Sequence, residues 1–515
     1  MNMLFCDRAD QIKEVVLTGH PLSLAEFVAV VRFGAKVSFA PSYEENVNKG
    51  QRKLQEILDS DKAVYAVNTG FGDNCKIRIS NDELAQLQEN ILRSHAVSVG
   101  DAMPEEQVRG MILTSLIKAG YGYSCMRLSI CELQKEFLNQ GMIPYVPYEG
   151  TVGGLSYMPY AALTVMGEGR FWKDGKLVPA AQMLKERGLE PIRPHAKEGF
   201  AIMNTMTPAN APTLLAVYDL IDTLRHSLVC ASLTCEALRC TDKAFDERLL
   251  GVKKHSEAIE IGAWMRNALR GSEIMEHARE SKVQDVTAVR LIPHIFGAVN
   301  RQLKATYEAA MEEFGSAVDN PIVLDDGIAL MGSSWDTTYT AIACDAMAMA
   351  IAQIAKDVAV FMDRLVDAKL SGLPPFLVKK PGVNNGYMIV QYVTTGLNAD
   401  IAYLSNPISS VTTTVSAGQE APNMRSDMAA RKLLKISEKF RNIINLTILT
   451  AAQAIDFLDG SMSPMNQELY SEIRRTVSFM EEDDRIYERI EEMRRIMDSG
   501  KLLGICEKHV GCFPI

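Results

Sequence analysis

Ten cysteines are present, yet no two of them have Cys-x-x-Cys spacing. That excludes the usual zinc-ribbon and dithiol motifs, and no other group of His, Cys and carboxylate residues has metal-ligand spacing. Cys6, Cys75, Cys125, Cys131, Cys230, Cys235, Cys240, Cys344, Cys506 and Cys512 are therefore expected to be buried, reduced thiols. Several of them (Cys230, Cys235, Cys344) lie in apolar helical runs. A basic excess is also missing. The 54 Lys and Arg are outnumbered by 64 Asp and Glu, giving a net charge of −10, which argues against a nucleic-acid partner. No uninterrupted apolar run is long enough to span a bilayer. The first eight residues lack a basic segment followed by a long apolar one. Repeats and low-complexity segments are absent. These absences together predict a cytoplasmic protein with neither membrane nor nucleic-acid partners.

What the chain does have is apolar residues at helical spacing. At 515 residues and 47% hydrophobic content it can build a large core. The spacing predicts helices over 22–31, 43–58 (capped by Ser42), 87–95, 103–119, 129–140 and 160–166. Ala63 to Val67 reads as a short β-like run, and Trp172-Lys173-Asp174-Gly175-Lys176 as a hairpin turn in a surface insertion over 170–200. Beyond about residue 205 longer helices are predicted, over 211–240, 256–269, 293–314, 337–370 and 424–458. The 337–370 run is apolar around most of its circumference, which predicts burial in a bundle or between subunits. The charged stretch 481–497 reads as a solvated helix. The expected organisation is a mixed helical and loop region, 1–205, followed by a long-helix bundle, 206–515. The fold class is mainly α.

Polar, irregular pieces interrupt these helices. They are Tyr65-Ala-Val-Asn-Thr-Gly-Phe-Gly72, Val283-Gln-Asp-Val-Thr-Ala-Val-Arg290, Val318-Asp-Asn-Pro321, Lys379-Lys-Pro-Gly-Val-Asn-Asn-Gly-Tyr387 and Ser416-Ala-Gly-Gln-Glu420. Polar loops on a rigid helical frame are where chemistry tends to sit. A further stretch, Glu149-Gly-Thr-Val-Gly-Gly-Leu-Ser-Tyr-Met-Pro-Tyr160, is a glycine-rich loop opening a helix, with free N–H groups and a positive dipole end.

In this order, these pieces resemble the histidine and aromatic amino-acid ammonia-lyase family over essentially the whole chain. Arg93-Ser-His-Ala96, Asn204, Leu373-Pro-Pro-Phe-Leu377 and Gly386-Tyr-Met-Ile-Val-Gln391 add to the match. The resemblance implies a helical homotetramer with a central bundle of long helices, whose active sites are assembled from loops of several subunits. The family carries Ala-Ser-Gly in the glycine-rich stretch, where it cyclises to a methylidene-imidazolone electrophile. This sequence has Gly153-Gly154-Leu155-Ser156-Tyr157, one residue short before Pro159. No cofactor is therefore expected. Three further departures are Val286-Thr287, where the family has an aromatic, Gly332-Ser-Ser-Trp-Asp336, where it has Gly-Gly-Asn-Phe-His, and the dibasic Lys379-Lys380.

Without an electrophile, amine loss needs a substrate that brings its own leaving group. The expectation is therefore that this chain resembles the electrophile-free branch, ergothionase, which eliminates trimethylamine from the betaine ergothioneine to give thiolurocanate. On the family pattern Tyr65 would take the β-proton. A tyrosine of ordinary pKa, about 10, needs help from nearby cations to do so near neutrality. Arg290 matches the carboxylate clamp, and a guanidinium fork suits a planar carboxylate. Asn204 and Asn320 would position the same carboxylate, and Glu420 would bind an imidazole N–H or act as acid and base there. Lys379 or Lys380 would donate to the sulfur or ring as charge develops. His95, Gln391 and Thr287 fall at pocket positions, and Tyr160, with Tyr157, offers an aromatic wall for the trimethylammonium group. Two alternatives stand beside this expectation: an ordinary histidine or aromatic amino-acid ammonia-lyase or aminomutase, and a catalytically silent scaffold of the family.

Overall fold

A computed structural model describes residues 8–60, 62–204 and 207–515. Four long helices form its centre: Thr207–Ala237, Thr287–Phe314, Thr338–Val366 and Ser426–Ile455. They pack on one another, and the Ser426–Ile455 helix is buried along most of its length. The mainly α expectation with a long-helix bundle holds. One continuous hydrophobic cluster runs from Ala9 to Ile515, through both expected regions. The expected boundary at 205 and 206 lies outside the described residues.

Local chemistry accounts for several helix starts. Ser23 and Glu26 form a reciprocal capping box at the helix Leu24–Val31, with Glu26 N–H donating to Ser23 Oγ at 3.2 Å and Ser23 N–H to Glu26 Oε2 at 2.8 Å. The next helix, Pro41–Asp59, starts on Pro41 after an extended Ala40. Ser42 is thus not its cap. It sits in the first turn, and its hydroxyl donates to the Thr18 carbonyl. The sheets are small. Glu14–Leu17 and Lys36–Phe39 pair in parallel around the Leu24–Val31 helix, Val99–Ala102 pairs with Pro147–Glu149, and Ile322–Val323 with Ala329–Leu330. The hairpin is present as Arg170–Lys173 and Lys176–Pro179, turning at Asp174 and Gly175 with φ of 51° and 73°. It is more than a surface insertion, because Phe171 is fully buried edge-on against Phe137.

Several expectations need correction. Ala63 to Val67 is a turn: the Asn68 side chain accepts from Val64 N–H and donates to the Lys62 carbonyl, which closes the chain on itself. The 293–314 helix starts earlier, at Thr287, with Pro293 inside it, so Thr287 and Arg290 lie on its first turn rather than in a loop. The 481–497 stretch becomes a helix only at Ile486–Asp498, and Met493, Ile496 and Met497 on it are buried. Cys125, Cys131, Cys230, Cys235, Cys240, Cys344 and Cys506 are buried thiols, whereas Cys75 is half-buried and Cys512 is exposed. Cys6 lies outside the described residues. Among the described residues no helix is long and apolar enough to cross a membrane.

Candidate active site

The Tyr65 loop is held from both ends. Gly70 N–H donates to the Ile77 carbonyl and Ile79 N–H to the Asn68 carbonyl. A Cβ on Gly70 would lie 2.7 Å from the Asn74 carbonyl oxygen, so the chain can pass there only as glycine. Tyr65 is half-buried, with its ring edge-on to Phe71 and Phe200 at 6.5 and 6.0 Å. Its phenolic oxygen accepts from Gly72 N–H at 3.2 Å. Burial pushes its pKa above the ordinary value; the Gly72 hydrogen bond lowers it, and the Glu420 charge raises it further. Glu420 sits at the end of a tight loop closed by mutual backbone hydrogen bonds with Val415, with φ positive at Ser416, Ala417 and Gly418. One chain thus brings together the expected base and the expected carboxylate.

The glycine-rich stretch lies against Ser98. Ser156 Oγ is 2.7 Å from Ser98 Oγ, Tyr160 OH donates to the Ser98 carbonyl, and Ser156 N–H donates to Thr151 Oγ1. Forming the family's methylidene-imidazolone needs a backbone nitrogen to reach the carbonyl carbon two residues before it, across a serine that dehydrates. The serine here is Ser156, so the nitrogen would be that of Tyr157 and the carbonyl that of Leu155. Instead Tyr157 N–H donates to the Gly154 carbonyl at 3.1 Å, and its residue is already helical (φ −85°, ψ −48°). The Tyr157 ring is buried with its hydroxyl on the Tyr148 carbonyl, so it is a core residue and no part of an aromatic wall. Gly154 has φ +79°, and a Cβ there would lie 2.8 Å from Pro208 Cγ, which confines the position before Leu155 to glycine. The residues present do not fit the group.

The other expected site residues are spread over the chain. Asn204 is buried and donates to Asp319 Oδ1 at 3.4 Å, and Asn320 accepts from Gly332 N–H through its side chain. His95 Nδ1 is 3.0 Å from Ser94 Oγ, and burial lowers its pKa. Arg290 and Thr287 are hydrogen-bonded to each other at 3.1 Å in an open cleft of about 630 Å³, lined also by Gln284, Asp285 and His294. Tyr65 does not line this cleft. Gln391 donates to Asp363 at 2.8 Å. Lys379 and Lys380 are exposed and face an acidic stretch, Lys379 pairing with Glu481 at 2.7 Å and Lys380 lying 4.0 Å from Glu482. Among the described residues no three potential ligands cluster for a metal.

Reading the sequence missed one group, the ammonium ions of Lys118 and Lys197 around Asp319. Lys197 is 2.7 Å from Asp319 with both side chains fully buried, and Lys118 is 3.9 Å away. The available signal was Lys118 itself, a charge inside the apolar run Met111-Ile-Leu-Thr-Ser-Leu-Ile-Lys-Ala119.

Relatives and solved structures agree on one family. The aromatic amino acid lyase profile matches residues 22–475. A probable histidine ammonia-lyase of Thermoplasma acidophilum is 33% identical over 95% of this chain and 99% of its own. Histidine ammonia-lyase of Geobacillus thermodenitrificans is 35% identical over 90% and 93%. The crystal structure of histidine ammonia-lyase from Trypanosoma cruzi superposes with a TM-score of 0.90 at 28% identity, covering 96% of both chains. These relatives overturn the expected elimination of trimethylamine from ergothioneine. The ergothionase of Treponema denticola is a weaker match, at 25% identity and a TM-score of 0.86 over 95% of this chain and 99% of that one. The roles expected of Lys379 and Lys380 at a thione ring, and of Tyr160 beside a trimethylammonium group, fall with that substrate. With a match over most of its length in profile, sequence and fold, this chain belongs to the aromatic amino acid lyase family.

Proposed function

We propose that the chain is a carbon–nitrogen lyase of the ordinary ammonia-lyase kind, acting on histidine or an aromatic α-amino acid, and that it works in the cytoplasm as a homotetramer. The observation that carries this reading is the Tyr65 phenol, fixed by Gly72 N–H beside Glu420. Tyr65 as phenolate takes the β-proton. The C–H electron pair becomes the new double bond, the C–N bond breaks, and the amine leaves with its electron pair as ammonia from the ammonium form. Arg290 clamps the substrate carboxylate in a bidentate fork, and Asn204 and Asn320 position the same group. Glu420 accepts from an imidazole N–H when the substrate is histidine, and His95, Gln391 and Thr287 complete the pocket walls. Because Arg290 opens onto a cleft that Tyr65 does not line, the reading has Arg290 act in a pocket built with another copy of the chain. No step runs through an internal electrophile, which residues 153–157 do not fit; the leaving group is the one the substrate itself brings, its protonated amine.

The test is to incubate the protein separately with histidine, phenylalanine and tyrosine, and to record ammonia together with the ultraviolet spectrum. A conjugated unsaturated acid plus ammonia from one of them supports the reading. A β-amino acid would mean that the amine adds back. No product from any of the three would overturn it.

A further inference from the structure

The Glu198–Met203 helix joins two parts of the molecule. Phe200, on this helix, stacks on Phe71 at 5.0 Å and lies edge-on to Tyr65. Phe200 N–H donates to Gln88 Oε1, and Gln88 Nε2 donates to the Ala66 carbonyl, so the helix is tied to the Tyr65 loop. Lys197 precedes it in a left-handed conformation (φ 65°), and Asn204 ends it. Behind it lies the buried ionic group. Asp319 Oδ2 meets Lys197 and, farther away, Lys118. Its Oδ1 accepts from Asn320 N–H at 2.7 Å and from Asn204 Nδ2 at 3.4 Å. Lys118 Nζ donates to the Ala201 carbonyl at 2.6 Å, inside the helix itself.

Packing alone does not account for this arrangement. One lysine would balance Asp319, and a buried charge without its own counter-ion is costly. The nearby buried carboxylate of Glu198 is already taken by Arg127, through contacts of 2.7 and 2.8 Å. Lys118 is therefore a second cation on one carboxylate, and burial lowers its pKa to about 8. What it gains is a hydrogen bond to the helix that carries Asn204.

We propose that Lys118 is a positioning residue: through the Ala201 carbonyl and Asp319 it holds the Glu198–Met203 helix so that Asn204 and Asn320 meet the substrate carboxylate in register with Tyr65. This rests on the functional reading above for the role of the two asparagines.

The experiment compares wild type with Lys118→Met in the full-length protein. Four quantities are read: hydrogen exchange over 198–204, the melting temperature, and kcat and KM on whichever amino acid the wild type turns over. The expected result is faster exchange confined to 198–204 and a KM raised about tenfold or more with kcat little changed, the pattern of lost ground-state binding. Unchanged exchange over 198–204 overturns the proposal. So does an unchanged KM beside a lowered melting temperature, which would make Lys118 a stability residue only. If Lys118→Met does not fold, Lys118→Gln keeps a donor for Ala201 and loses only the charge facing Asp319, so a smaller rise in exchange over 198–204 and in KM is expected, and no change in either overturns the proposal. If the wild type turns over no amino acid, the functional reading fails separately, and the exchange measurement still tests whether Lys118 holds the helix.

Discussion

Tyr65 sits with its ring perpendicular to those of Phe71 and Phe200, and its burial there works against ionisation. A phenol whose pKa is raised by burial is mostly protonated at neutral pH, and only the deprotonated form accepts the β-proton. The sign is therefore fixed: kcat/KM should climb with pH from neutrality up to the point where the substrate's own ammonium group starts to lose its proton, because each step up in pH ionises more Tyr65. A profile that falls over this range in Tyr65-competent enzyme would exclude the phenolate base. Tyr65→Phe should lower kcat by about 10²- to 10⁴-fold, the usual worth of a general base, while leaving the melting temperature nearly unchanged. A second residue-scale expectation concerns the glycine-rich stretch. Intact-mass measurement should return the mass of the unmodified chain, since cyclisation and dehydration would remove two waters. Tyr65, Arg290 and Glu420 stand out in the sequence as candidates because each lies in a short local pattern that resembles the family's. The Lys118 and Lys197 pairings do not, because their shared carboxylate, Asp319, is far along the chain and only folding brings the three together.

At the scale of elements, periodicity located the long helices but not their ends. Thr287 was missed as a helix start because Pro293 reads as a boundary, yet here it lies within the helix. The Met388–Leu404 helix was missed because its opening run, Ile389-Val390 then Val393-Thr394-Thr395, is rich in β-branched residues that suit strands. Glycine conformation is more informative than glycine content. Gly154 is left-handed and touches Pro208, so Gly154→Ala should cost about 1–3 kcal/mol, seen as a lower midpoint in thermal or urea unfolding. Gly175, at the hairpin tip, has open space around it, so Gly175→Ala should cost only the strain of its φ of 73°, a smaller loss in the same assay.

For the whole molecule, the question is what covers the apolar side chains that one chain leaves bare. Tyr339, Ile342 and Met349 on the Thr338–Val366 helix are exposed, as are Ile389, Tyr392, Val393 and Tyr403 on the Met388–Leu404 helix packed against it. Exposed apolar side chains gathered on two packed helices point to an association surface. Light scattering should give a particle several times the 56.9 kDa of one chain. Tyr392→Glu should shift it toward the single-chain mass and abolish turnover together, since Tyr65 would then lose the copy that brings Arg290. Dissociation with full activity retained would count against a shared pocket. The sequence pointed to this surface through the nearly all-round apolar run at 337–370, though not to its second half.

Tyr65 and Glu420 lie toward opposite ends of the chain, and their meeting has a consequence for synthesis. The ribosome has released the phenol's loop long before it makes the carboxylate's. A nascent or prematurely terminated product ending ahead of residue 420 therefore holds Tyr65 without the carboxylate that the full chain folds toward it.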